Sequence, residues 1–146
     1  MKLRNGLFTG LLFAFTLPFL FAWLGCESDS KSTKSDPASS IEEVVSAWGE
    51  VGLDTSKLVS TDERVLEART CHRGPISGVD VMICRYDTPE SALAAREAGL
   101  KQIGETTGTA LPSGTLLLVV ADRTKADPSG KAINSIAKTF RTIAGG

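Results

Sequence analysis

Apolar positions in this chain fall into three kinds of pattern. Residues 7–24 form an uninterrupted apolar stretch without a charge, residues 27–40 hold no Ile, Leu, Val or Phe, and from Ile41 onward apolar side chains recur at helical or strand spacing. Ile41, Val44, Val45 and Trp48 share one helical face, and Ser40 followed three residues later by Glu43 has the form of a capping box. This predicts a helix over 41–51, ended by Gly52. Residues 65–76 and 79–86 read as two strands flanking Ser77-Gly78, and Thr88 with Pro89 opens an Ala-rich helix that stops at Gly104. Its Ala92, Ala95 and Ala98 allow close approach to a sheet. A short strand is expected over 107–111, then a turn at Pro112-Ser113-Gly114, then a central strand over 116–121, the most apolar run outside the N-terminal stretch. Asp127 is expected to cap the last helix, with Pro128 at its first position and Ile133, Ile136, Ala137, Phe140 and Ile143 as its buried stripe.

This order predicts an α+β two-layer sandwich, with a mostly antiparallel sheet of about three or four strands and about three helices against one face. A Ser-Gly pair in each expected hairpin hints at a degenerate repeat. With 146 residues in all, the chain is read as a single domain over 41–146, preceded by a leader over 1–25 and a tether over 26–40.

The leader has the parts of an export signal: Lys2 and Arg4, the apolar run, and Gly25-Cys26 at its exit. Trp23-Leu24-Gly25-Cys26 resembles the lipobox of bacterial lipoproteins. The resemblance covers the first 26 residues alone, and it implies lipidation of Cys26, cleavage before it, and a lipid anchor on the exported side of the cell envelope. Glu27 in place of Asp would send such a protein to the outer membrane where the Asp retention rule applies. Two other readings of the same stretch stay open, an uncleaved membrane anchor and ordinary secretion, since about 17 to 25 apolar residues suffice to cross a bilayer. Residues 27–40 carry six Ser with interspersed charges. Such a segment cannot bury enough apolar surface to offset chain entropy, and as a flexible coil it reaches roughly 20 Å.

Sixteen basic and seventeen acidic residues give a net charge of −1. Lys2 and Arg4 lie in the leader, which has no acid, so the rest of the chain carries fourteen against seventeen, or −3. A nucleic-acid partner is excluded on this balance. Three Cys are present, and Cys26 belongs to the leader. Cys71 and Cys84 are then a pair in an exported domain, where an even number of thiols normally signals a disulfide. A two-residue turn at Ser77-Gly78 places them directly opposite each other at a non-hydrogen-bonded site, where Cα atoms lie closest. A redox pair and a Cys71-His72-Cys84 metal site compete with a structural bridge. Spacing favours the bridge, because redox pairs are more often Cys-x-x-Cys and adjacent strand residues point to opposite faces.

Strand alternation puts Ile76, Val79, Val81 and Ile83 on a core face, and Cys71, Arg73, Asp80, Met82, Cys84 and Tyr86 on the other. Leu117 and Val119 join that second face if Leu116, Leu118 and Val120 meet the helices. Met82, Tyr86, Arg73, Leu117 and Val119 therefore form a candidate face for a protein partner or a second copy, unless the first helix covers it. Residues 125–132 imitate a phosphate loop but place Lys125 and Ala132 where its first glycine and its Ser or Thr belong. What remains is a candidate anion site at a helix start, with Ser129 and Lys131. His72, the only histidine, has no nucleophile motif to serve, and Asp87 with Asp122 would meet only across parallel strands. No catalytic residue, metal or cofactor is assigned. The expected function is a lipid-anchored, non-catalytic interaction module of the envelope, with a small-ligand or anion-binding protein as the alternative.

Overall fold

The computed structural model describes residues 40–62 and 64–145. The leader over 1–25, the lipidation candidate Cys26 and the tether through residue 39 lie outside the described residues. The fold is α+β, as expected. Its elements are α1 (Ile41–Glu50), β1 (Val59–Thr61), β2 (Thr70–Ile76), β3 (Val79–Arg85), α2 (Pro89–Ala94), α3 (Arg96–Ile103), β4 (Thr107–Ser113), β5 (Leu116–Asp122) and α4 (Lys131–Ala144). Among the described residues the sheet has five strands in the order β1-β2-β3-β5-β4, every neighbouring pair antiparallel.

The β2–β3 hairpin sets the frame. Ser77 and Gly78 take φ values of 51° and 84°, the pair of positive angles a type I′ turn needs to match the strand twist. That turn fixes Ile76 opposite Val79, and the register runs back to Cys71 opposite Cys84. The two Cys are disulfide-bonded with their Cα atoms 4.1 Å apart, the close spacing of a non-hydrogen-bonded pair. Both are buried.

All seven residues of β5 are buried, so the sheet has an apolar core on each side. On one side, Ile76, Val79, Val81, Ile83, Leu116, Leu118 and Val120 pack beneath α1 and α4. Ile41, Val44 and Trp48 come from α1, and Ile133, Ile136 and Phe140 from α4. The Trp48 Nε1–H donates to the Ile136 carbonyl at 3.1 Å and joins the two helices. On the other side, Cys71, Met82, Cys84, Tyr86, Leu117 and Val119 lie beneath α2, α3 and the segment around Leu66. This corrects the two-layer expectation. Helices flank both faces, because a central strand that is apolar in both registers cannot leave either face wet.

Other departures have local causes. β1 is three residues long, too short to show a period, and it covers only the Cys71–Arg73 part of β2. Pro75, beyond that pairing, keeps its N-H-less nitrogen on the open side. β2, expected over 65–76, begins at Thr70, since Arg64–Leu66 is a 3-10 turn followed by Glu67 at φ 52°. The Ala-rich helix breaks at Ala95 into α2 and α3. β4 runs through Pro112 to Ser113, and the hairpin turn is Gly114-Thr115. The suggested repeat does not hold, because α2–α3 and α4, which follow the two hairpins, cover opposite faces.

The disulfide joins residues 13 apart in sequence, and closing such a loop is worth about 3 kcal/mol in the chain-entropy account. Replacing both partners, Cys71→Ala with Cys84→Ala, should lower the melting temperature by roughly 10 °C. Thermal denaturation of the two proteins side by side checks this. An unchanged melting temperature would show that the hairpin is held by its turn and packing alone.

Candidate functional site

The expected partner face is an interior. Met82, Tyr86, Leu117 and Val119 are 4%, 4%, 0% and 5% exposed, and of the five candidates only Arg73 reaches the surface. The cover is supplied by α2–α3 and the Leu66 segment, not by α1. Alternation assigned the side chains to the correct face; what it could not supply was the element that lies on them.

Where the two covers of that face meet, they leave a seam. It is a groove of about 390 Å³ lined by Leu66 and Glu67 on one bank, by Ser91, Ala94, Ala95 and Ala98 on the other, and by Tyr86. Tyr86 extends the β3 register by one residue, its N–H donating to the Thr115 carbonyl at 2.8 Å. Its side chain is buried and its hydroxyl has no hydrogen-bond partner. Burial pushes that hydroxyl's pKa up to about 12, so it stays a neutral O–H at any physiological pH. Chemically the seam offers small walls of mixed character, alanines with Glu67 and Ser91 among them, beside one buried phenol. The helical positions Ala95 and Ala98 were visible in the sequence as a route to tight packing. Their role as a groove wall was not, because the opposite bank comes from an irregular turn.

A second concavity, of about 570 Å³, lies over the loop between β5 and α4 and is lined among others by Thr106, Thr107, Asp122, Arg123, Asp127 and Ser129. Two carboxylates organise it. Asp122 Oδ1 accepts from the Ala126 N–H at 2.8 Å and Oδ2 from the Asp127 N–H at 3.0 Å. Asp127 Oδ2 accepts from the Ile133 N–H at 3.0 Å, and its Oδ1 from the Ser129 hydroxyl at 3.2 Å. Pro128, Ser129 and Gly130 form a turn, so α4 starts at Lys131 rather than 128. Asp127 thus caps the helix from a turn away. This overturns the anion site assigned to Ser129 and Lys131: the amides that would have held an anion already hold the Asp127 carboxylate, and its charge repels another.

The remaining candidates stay apart. Asp87 pairs with Arg69 on the surface at 2.8 Å, while Asp122 sits at the far end of the sheet, as antiparallel β3 and β5 require. His72 is half-buried on β2, opposite Ile83 and Ser60, pointing away from the disulfide face. Among the described residues no three His, Cys, Asp or Glu side chains are placed to hold a metal ion. Sequence reasoning missed Arg123. Its guanidinium pairs with Asp80 at 3.1 Å and donates to the Gln102 carbonyl near the end of α3.

Two outcomes follow from these groups. The Ile133 amide, then Ser129 and the Lys131 and Ala132 amides, hold the Asp127 carboxyl below its ordinary 3.8. A depressed carboxylate stabilises the fold above that ordinary value, and the contribution is lost as pH falls through the lower, folded one. Thermal melts from about pH 7 down to about pH 3 should therefore show a shallower acid limb, and a lower melting temperature at neutral pH, for Asp127→Ala. Tyr86→Phe removes a hydroxyl that is buried without a partner, so its melting temperature should equal or exceed that of the parent, by up to about 1 kcal/mol of stability. A fall on that substitution would reveal a partner for the hydroxyl. Compared with known protein families, curated proteins and solved structures, the chain matches none of them.

Proposed function

We propose that this chain is a lipoprotein tethered to the bacterial cell envelope, and that its folded domain is a non-catalytic interaction module. The observation that carries the exported half of this reading is the Cys71–Cys84 bridge, buried and in register. Structural disulfides persist in oxidising compartments. Gly25-Cys26 after the apolar run supports a lipid on the Cys26 thiol as the tether. The non-catalytic half draws support from how the buried acids are used: both Asp122 oxygens accept backbone amides, and those of Asp127 accept the Ile133 amide and the Ser129 hydroxyl. The membrane, through the lipid, is one partner, and a protein or a second copy of the chain is the other. A small-ligand protein is the second reading, favoured by the unpartnered Tyr86 hydroxyl beside the seam.

Intact-mass analysis of protein extracted from its own membranes should find diacylglyceryl-Cys26 as the first residue; Met1 still attached and a free Cys26 thiol would overturn the tether. For the interaction half, a photoreactive amino acid in place of Ala98, in the full chain within intact envelopes, should give a discrete protein adduct or a cross-linked dimer. No protein adduct at that position, with protection by a small molecule instead, would move the assignment to the second reading.

A further inference from the structure

The two faces of the sheet are covered by helices of unequal grip. α1 and α4 drive Ile41, Val44, Trp48, Ile133, Ile136 and Phe140 into their core, and the Trp48 indole adds a buried hydrogen bond between them. α2 and α3 fully bury Ala92, Gly99 and Ile103, and Leu100 is half-buried against the same core, so Ile103 is the one large side chain that the pair buries fully. Leu93, the one large apolar residue of α2, is 61% exposed. Gly99 is what allows the close seat. A Cβ there would stand 3.0 Å from Val119 Cγ2 and 3.3 Å from the Ala110 Cβ, so the helix rests on the β4–β5 surface without interlocking with it. The break at Ala95 separates the pair into two short pieces, and the seam runs between them and the Leu66 segment, which α3 still touches.

Polar groups tie down one end. Arg123, just beyond β5, donates to the Gln102 carbonyl in the last turn of α3, and its guanidinium is fixed in turn by Asp80 of β3 at 3.1 Å. Both partners of that ion pair are partly exposed, with side chains 41% and 44% accessible. A tie of this kind breaks and re-forms more easily than a buried one.

We propose that α2–α3 is a latched cover that opens from the sheet as a unit while α1, α4 and the disulfide-linked hairpin stay folded, with Arg123 as the latch. Opening bares the apolar strip of Ala110, Leu117 and Val119 on β4 and β5. Elements with few buried apolar contacts are the ones that open below the global unfolding transition. The cover belongs to the folded domain and goes beyond the tether reading, standing or falling apart from it.

Native-state hydrogen exchange on the full chain, solubilised in mild detergent, tests this. The amides of 89–103 should exchange about tenfold or more faster than those of α1 and α4, with a weaker dependence on low concentrations of denaturant. Phe140→Leu, on the opposite face, separates local from global opening. It should speed exchange in α1 and α4 by roughly tenfold and leave residues 89–103 unchanged, because the contacts of Phe140 survive when the cover opens. Residues 89–103 accelerating in step with α4 would overturn the proposal. Arg123→Ala should speed exchange across 89–103 roughly fivefold, the scale of one partly exposed hydrogen bond. Unchanged rates there would remove Arg123 as the latch, and should Phe140→Leu fail to fold, the two denaturant dependences of the parent protein decide the matter alone.

Discussion

β5 has no side it can give to water. Each residue from Leu116 to Asp122 is buried, and its neighbours β3 and β4 are pinned to it along their length. Removing that strand's apolar surface from water is worth roughly 1.5 to 3 kcal/mol for each large side chain, so helices must lie on both faces. The chain order then decides which ones. α4 leaves β5 and returns over the Leu116, Leu118 and Val120 side, where α1 is already seated. The opposite side falls to α2–α3, the connection between the two hairpins, and to the turn around Leu66.

The disulfide and that turn solve the same problem on the part of the second face that α2–α3 does not reach. α2 and α3 sit on β4 and β5. Cys71 on β2 and Cys84 on β3 lie to one side, in the core that Leu66 and Ala68 also join. The hairpin's other face is packed by Ile76, Val79, Val81 and Ile83, and on this face a covalent bridge across a non-hydrogen-bonded pair holds its register. The Pro residues act at the margins in a similar spirit. Pro75 lies past the end of β1, and Pro112 lies on edge strand β4, so both remove a donor where another strand could otherwise add.

Much of this was readable from the residues because it depends on short-range rules. The capping box of Ser40 and Glu43 forms as expected, with bonds of 3.1 and 2.8 Å, and the Ser77-Gly78 turn sets the cysteine register by counting alone. Alternation also sorted Val79, Val81 and Ile83 from Met82, Cys84 and Tyr86 correctly. What escaped were the long-range choices. A three-residue strand such as β1 exists only because β2 offers it an edge, and the Leu66 turn acquires its meaning only from the second core that Leu66 joins. The helix start shows the limit most clearly. Asp127-Pro128 is a good local beginning, yet Asp122 holds the Ala126 and Asp127 amides from across the loop and delays α4 to Lys131. The same displacement turned a plausible anion site into a filled one.

The polar groups of this domain are therefore mostly structural, and this shapes what its surface can do. Asp122 orders a loop, Asp127 caps a helix, Ser113 bonds the Ala144 carbonyl at 2.8 Å, and Trp48 spends its one N–H on Ile136. Tyr86 stands apart as a large buried side chain whose polar atom has no such use. A buried hydroxyl without a partner costs stability that a Phe would not. It lies at the seam beside α2 and α3, where the two covers of the second face meet. The cost and the thin cover are properties of one region, because the hydroxyl is buried where short helices and an irregular turn, rather than one long helix, share the covering of the second face.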